Sequence, residues 1–147
     1  MGRAKGAKVS SWLMAHGDMK EQMTKVKFSF EDLEVWQKAI DFTDKVISLV
    51  EKIRADRKHF RLLEQIEASS ASIAMNIAEG KGRYSKKEFV QFLYIARGSL
   101  YESITLLIIF HKRKWINDID LEDTITFGNQ IGKMLSSLIK SIKSKGN

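Results

Sequence analysis

From Phe30 onward the apolar residues recur at alternating steps of three and four. Leu33, Trp36, Ile40, Thr43, Ile47 and Val50 make one such seam, and Val35, Ala39, Phe42, Val46, Leu49 and Ile53 make a second beside it. At 3.6 residues per turn these positions share one helical face. Two adjacent seams are wider than a single helix–helix contact requires. Such a helix is either enclosed in its own bundle or shared with a neighbouring subunit, and a small domain encloses few positions fully. Val35, Ala39, Phe42, Val46 and Leu49 are therefore the expected oligomer contact.

The same periodicity continues. Leu63, Ile66, Ser70, Ile73 and Ile77 predict a second helix over about 59–78, flanked by Ala68, Ser69, Ala71, Ser72 and Ala74, which let another helix approach closely. Gly80 is placed for the left-handed stop that follows many helices. Ser85-Lys86-Lys87-Glu88 has the form of a capping box. It predicts a third helix carrying Phe89, Phe92, Leu93, Ala96, Leu100, Ile104, Leu107, Ile108 and His111 to about Lys114. A fourth helix begins near Asp120 with Leu121, Ile125, Gly128, Ile131, Leu135, Leu138 and Ile142. No sustained period-two alternation competes. The chain has no proline, which favours long unbroken helices. The reading is all-α: an antiparallel up-down-up-down four-helix bundle over residues 29–147.

Residues 1–28 lack this periodicity. Arg3, Lys5, Lys8, Lys20, Lys25 and Lys27 outnumber Asp18 and Glu21 there, so the segment reads as a flexible basic extension or a leader. The absence of cysteine excludes a disulfide framework or thiolate metal site and fits a reducing compartment. No unbroken apolar run approaches the roughly 20 residues that span a bilayer, and no signal peptide is evident. A cytoplasmic protein with no membrane association is expected.

The net charge of +7 favours anionic partners such as nucleic acid. Up-down topology sorts the basic residues by pole. Arg54, Arg57, Lys58, Arg61 and Lys112 to Lys114 share one pole with Asp56, Asp118, Asp120, Glu122 and Asp123. Lys81, Arg83, Lys86, Lys87, Lys140, Lys143 and Lys145 gather at the other, with only Glu79 and Glu88 near in sequence. Lys140 to Lys145 also complement a helix C-terminal dipole, whereas Lys81 to Lys87 lie where a helix N-terminus disfavours cations. Candidate nucleic-acid contacts are thus Lys81, Arg83, Tyr84, Lys86 and Lys87, with Lys140 and Lys143. In the connection, the Arg83 guanidinium and the Tyr84 ring suit phosphate and base.

Catalytic and cofactor signals are missing. There is no nucleotide-cradling glycine loop, and Gly80-x-Gly82 follows a helix instead of a strand. None of His16, His59 and His111 has a glutamate three residues before it, as bundle di-iron sites require. No enzyme activity, metal or cofactor is expected. Asn76 and Glu79 are read as corner hardware together with Gly80 and Gly82, binding the first amides of helix three or pairing with Arg83. Ser99 and Glu102 are read as polar contacts that set register, Glu102 toward a basic residue of another helix.

Phe30-x-x-Leu33-x-x-Trp36-x-x-Ala39, Gln65-Ile66, Ser72-Ile73, Asn76-Ile77-Ala78-Glu79-Gly80-x-Gly82-Arg83, Lys87-Glu88-Phe89 and Ala96-x-Gly98-Ser99-Leu100-x-Glu102 carry a family likeness. They resemble the four-helix-bundle proteins encoded in intervening sequences of bacterial 23S ribosomal RNA genes, the S23 type. The likeness covers about residues 28–145. It departs at Asp56-Arg57-Lys58-His59, where those proteins usually have a proline, and residues 1–27 have no counterpart. The resemblance implies a homo-oligomer, typically a homopentameric ring, and RNA as partner. A related branch, the accessory variability proteins of diversity-generating retroelements, implies instead a basic pentamer that binds a reverse transcriptase and its template RNA.

Overall fold

A 3-10 turn at Ser29–Asp32 leads into four helices: α1 (Glu34–Glu51), α2 (Phe60–Lys81), α3 (Lys86–Lys112) and α4 (Asp118–Lys145). The computed structural model describes residues 26–54 and 59–145, and the expected extension therefore lies almost wholly outside the described residues. No strand occurs among them.

Cross-helix contacts fix the antiparallel order. Between α2 and α3, Ser72 Oγ meets Ser99 Oγ at 3.0 Å and Ser69 Oγ meets Ser103 Oγ at 2.8 Å, so numbering falls on one helix as it rises on the other. Between α3 and α4, Arg97 faces Ser136 and Tyr94 faces Lys143. Lys45 pairs with Asp123, and the Phe42 and Phe127 rings stack at 6.1 Å, closing α4 against α1. Successive helices are neighbours, as short connections require.

The core holds Phe42, Val46, Ile66, Ile73, Ile77, Leu93, Leu100, Leu107, Phe110, Ile131 and Leu135, all essentially sealed from solvent. Val35, Ala39, Phe42, Val46 and Leu49, the expected oligomer contact, are buried by the chain's own helices. The first seam is the open one. Trp36, Ile40 and Ile47 are only half-buried and line a groove of about 470 Å³ between α1 and α2, beside Met75, which is 65% exposed.

Helix ends differ from expectation where a glycine was read as a stop. The α2 helix runs through Gly80, which is buried within it, and ends at Lys81. A Cβ at Gly80 would lie 2.6 Å from Phe92 Cβ and 2.9 Å from Phe89 Cδ2, so the missing side chain allows α2 and α3 to touch. Gly82 caps the helix in a right-handed conformation, φ −80°, ψ −5°. Among the described residues the left-handed one is Lys114, φ 63°, after α3. Its N–H donates to His111 O at 2.9 Å, and Trp115 N–H donates to Phe110 O at 2.9 Å, the paired bonds of a Schellman ending. Asn117 Oδ1 accepts from Asp120 N–H at 2.7 Å and caps α4, which starts at Asp118, two residues upstream of Asp120.

By length and average composition α3 is apolar enough to cross a membrane, a property that a search for unbroken apolar runs does not detect. In the bundle it lies between α2 and α4 and contributes Val90, Leu93, Ala96, Leu100, Leu107 and Phe110 to the core.

Candidate nucleic-acid interface

The connection between α2 and α3 is built by Ser85. Its Oγ accepts from Glu88 N–H at 3.2 Å, while Glu88 Oε2 accepts from Ser85 N–H at 3.3 Å and from Ser85 Oγ at 3.0 Å. Glu88 is thereby committed to the cap, and its charge offsets the helix N-terminus that Lys86 and Lys87 do not suit.

Around this corner Lys81, Lys86 and Lys87 are exposed, and none pairs with a carboxylate among the described residues. Lys81 Nζ lies 5.9 Å from the Phe89 ring centroid. Tyr84 projects fully into solvent, at 104% relative exposure. Arg83 is held differently. Its Nη2 meets Glu79 Oε1 at 2.7 Å and its guanidinium sits 4.7 Å from the Phe92 ring centroid. One of the two expected Glu79 contacts is thus present.

Asn76 corrects the other. Its Nδ2 donates to Ser72 O and Ser72 Oγ, each at 2.8 Å, so it bonds back along its own helix and does not reach the α3 amides. Glu102 accepts from Gln65 Nε2 at 2.9 Å, an uncharged amide in place of the expected basic residue.

Lys143 does not stand free at the end of α4. Its Nζ donates to the Tyr94 hydroxyl at 2.8 Å and lies 5.1 Å from that ring's centroid. The hydrogen bond, helped by the nearby positive charges of Lys143 and Arg97, holds the Tyr94 hydroxyl below the usual phenol pKa against a smaller opposing effect of desolvation. Lys140 is exposed on the same helix. The structure therefore brings Lys143 to α3 about two turns into that helix, while Lys81, Lys86, Lys87 and Tyr84 cluster at its start.

The remaining polar chemistry is at the opposite pole. His111 Nε2 meets Asp118 Oδ1 at 2.6 Å, and the His59 ring lies 5.0 Å from that of Trp115. Among the described residues no three His, Asp or Glu side chains stand close enough to share a metal ion.

Residues 31–137 match the family described as 23S rRNA-intervening sequence protein. The chain belongs to that family. The intervening-sequence protein fold is also seen in a crystal structure of a protein of unknown function from the S23 ribosomal protein family of Bacteroides thetaiotaomicron VPI-5482. The two share 27% identity with a TM-score of 0.67, over 72% of this chain and 98% of that one. No curated protein matches.

Proposed function

We propose that this intervening-sequence protein is a non-enzymatic, basic RNA-binding subunit that self-associates, acting in the cytoplasm on structured RNA. The observation that carries the reading is the α2–α3 corner, where three exposed lysines with no carboxylate partner among the described residues flank a fully exposed tyrosine in the chain. Lys86 and Lys87 stand in the first turn of α3, where cations are electrostatically unfavourable for the fold, whereas Lys81 closes α2, where a cation is favoured. A polyanion would compensate the α3 pair. The family description, which refers to an insertion in ribosomal RNA, supports the same partner class.

Self-association is supported by the open seam of α1, whose Trp36, Ile40 and Ile47 line an apolar groove beside exposed Met75. A ring of five is the arrangement carried over from the family resemblance. Neither match refers to a retroelement or a reverse transcriptase, and no contact favours that alternative.

The test is binding of a structured RNA hairpin to the wild type and to a variant carrying Lys81→Gln, Lys86→Gln and Lys87→Gln. Affinity should fall at least about tenfold, since each lost phosphate contact removes a released counterion. Equal affinities would remove the corner from the binding surface.

A further inference from the structure

A second surface lies on the outer side of α3 and α4. Tyr94 and Tyr101, 38% and 57% exposed, stand on α3 with Arg97 between them. The Arg97 guanidinium is 4.9 Å from the Tyr94 centroid and 6.0 Å from that of Tyr101, giving a run of three planar groups. Two helical turns separate the tyrosines, about 10.5 Å along the axis. That is close to three base-stacking intervals of about 3.4 Å each.

Gly98 lies on the same side, one turn from each tyrosine. A Cβ added there would meet nothing within 4 Å. Packing within the chain does not require glycine here, although glycine in a helix interior costs about 1 kcal/mol relative to alanine. Its effect is to leave bare backbone beside Arg97, one turn from each aromatic side chain. Gly98 belongs to the Ala96-x-Gly98-Ser99-Leu100-x-Glu102 run, which the corner does not use.

Charge on this surface has one sign. From Phe89 to Tyr101, α3 carries Arg97 and no carboxylate; from Thr124 to Lys145, α4 carries Lys133, Lys140, Lys143 and Lys145 and no carboxylate. The next acid on α3, Glu102, accepts from Gln65 on α2. A groove of about 620 Å³ runs beside Tyr101, floored by Gly128 and Gly132 and edged by Asn129, Lys133 and Ser136. None of these cations is ion-paired among the described residues.

We infer that the α3–α4 face binds unpaired nucleotides of an RNA strand, with bases stacked on Tyr94 and Tyr101 over Gly98 and phosphates held by Arg97, Lys133 and Lys140. Stacking on aromatic rings beside a cationic groove is how proteins hold single strands without reading their sequence. An acidic protein segment would satisfy the cations, but its carboxylates offer nothing to the tyrosine pair, whereas every nucleotide carries both a phosphate and a base. This assignment rests on the reading of the chain as an RNA binder, and adds a strand class and a second surface to it.

Fluorescence anisotropy with an unstructured oligouridine and, separately, a blunt hairpin tests it in the full chain. Tyr94→Leu with Tyr101→Leu should weaken oligouridine binding at least about tenfold, because each stacked base contributes substantially. Tyr94→Phe with Tyr101→Phe keeps both rings and should stay within about threefold. Gly98→Gln should raise the melting temperature through helix propensity yet reduce oligouridine affinity by filling the space beside Arg97. Hairpin binding should move little in these variants and fall in the corner variant. Wild-type binding to oligouridine but not to the hairpin would sink the corner reading and leave this one standing; hairpin binding alone would do the reverse. Unchanged oligouridine affinity in the Leu pair or in Gly98→Gln would overturn the inference. So would a drop in assembly mass in Gly98→Gln, which would assign the face to a subunit contact.

Discussion

Gly80 and Phe92 are so close that a Cβ on the glycine would lie 2.6 Å from the Cβ of the phenylalanine. The contact sets how nearly α2 approaches α3 at the corner that carries the proposed RNA contacts. A methyl group there meets an atom attached directly to backbone, so a helix must shift.

Gly80→Ala is expected to destabilise the fold by about 1–2 kcal/mol, with overpacking exceeding a helix-propensity gain of about 1 kcal/mol. Gly98→Ala has the same propensity gain and no steric cost, so it should stabilise by about 0.5–1 kcal/mol. Urea denaturation of both variants checks the pair. Equal shifts would show that the α2–α3 approach is looser than the 2.6 Å contact implies.

Lys114 ends α3 in the left-handed region at φ 63°, where a Cβ is strained. Lys114→Gly should raise stability by up to about 1 kcal/mol while keeping the two Schellman bonds. A thermal melt reads the change, and a lower melting temperature would mean that the lysine side chain makes a stabilising contact of its own.

Tyr94 should titrate below the ordinary phenol value, because Lys143 donates to its hydroxyl. The sign for stability follows from linkage. A folded-state pKa below the unfolded value of 10.0 gives a contribution that is absent at neutral pH, grows as pH rises through the lowered pKa, and is complete above the unfolded pKa. Absorbance titration near 295 nm should show one early ionisation that Lys143→Met moves upward. A wild-type titration that Lys143→Met leaves unchanged would contradict the contact.

Self-association through the open seam of α1 predicts that Met75→Glu leaves the fold intact and reduces the assembly mass. Met75 is 65% exposed in the single chain, so the charge costs little until a second copy covers it. Sedimentation velocity with circular dichroism separates the two effects. An unchanged assembly would move the interface elsewhere.

The helices were legible in the chain because periodicity depends only on spacing, and Ser85 and Glu88 announced the start of α3 by residue type. Which seam of α1 faces inward was not legible. Both repeat at the same period, and the choice depends on where α2 and α4 lie against it. Gly80 misled for a related reason. A glycine near a helix end suits a left-handed stop and a close helix crossing equally, and only the position of Phe89 and Phe92 decides. Lys114 carried no signal at all, since nothing about a lysine marks a left-handed residue. At the candidate site, Lys81, Lys86, Lys87 and Tyr84 were readable from charge and position. The Tyr94–Arg97–Tyr101 run was present at helical spacing, but its exposure and its closeness to Lys143 required the packing of α4. That packing also removed Lys143 from the set of free cations.

The central claim is that the basic surface binds RNA by neutralising phosphates, and the salt dependence of hairpin affinity tests it most directly. Three unpaired lysines at the corner predict that log K falls against log salt with a slope of about −3 for each corner engaged. The triple Lys→Gln variant should lose most of that slope. Weak binding with no dependence on salt, in the wild-type protein at low ionic strength, would contradict the account.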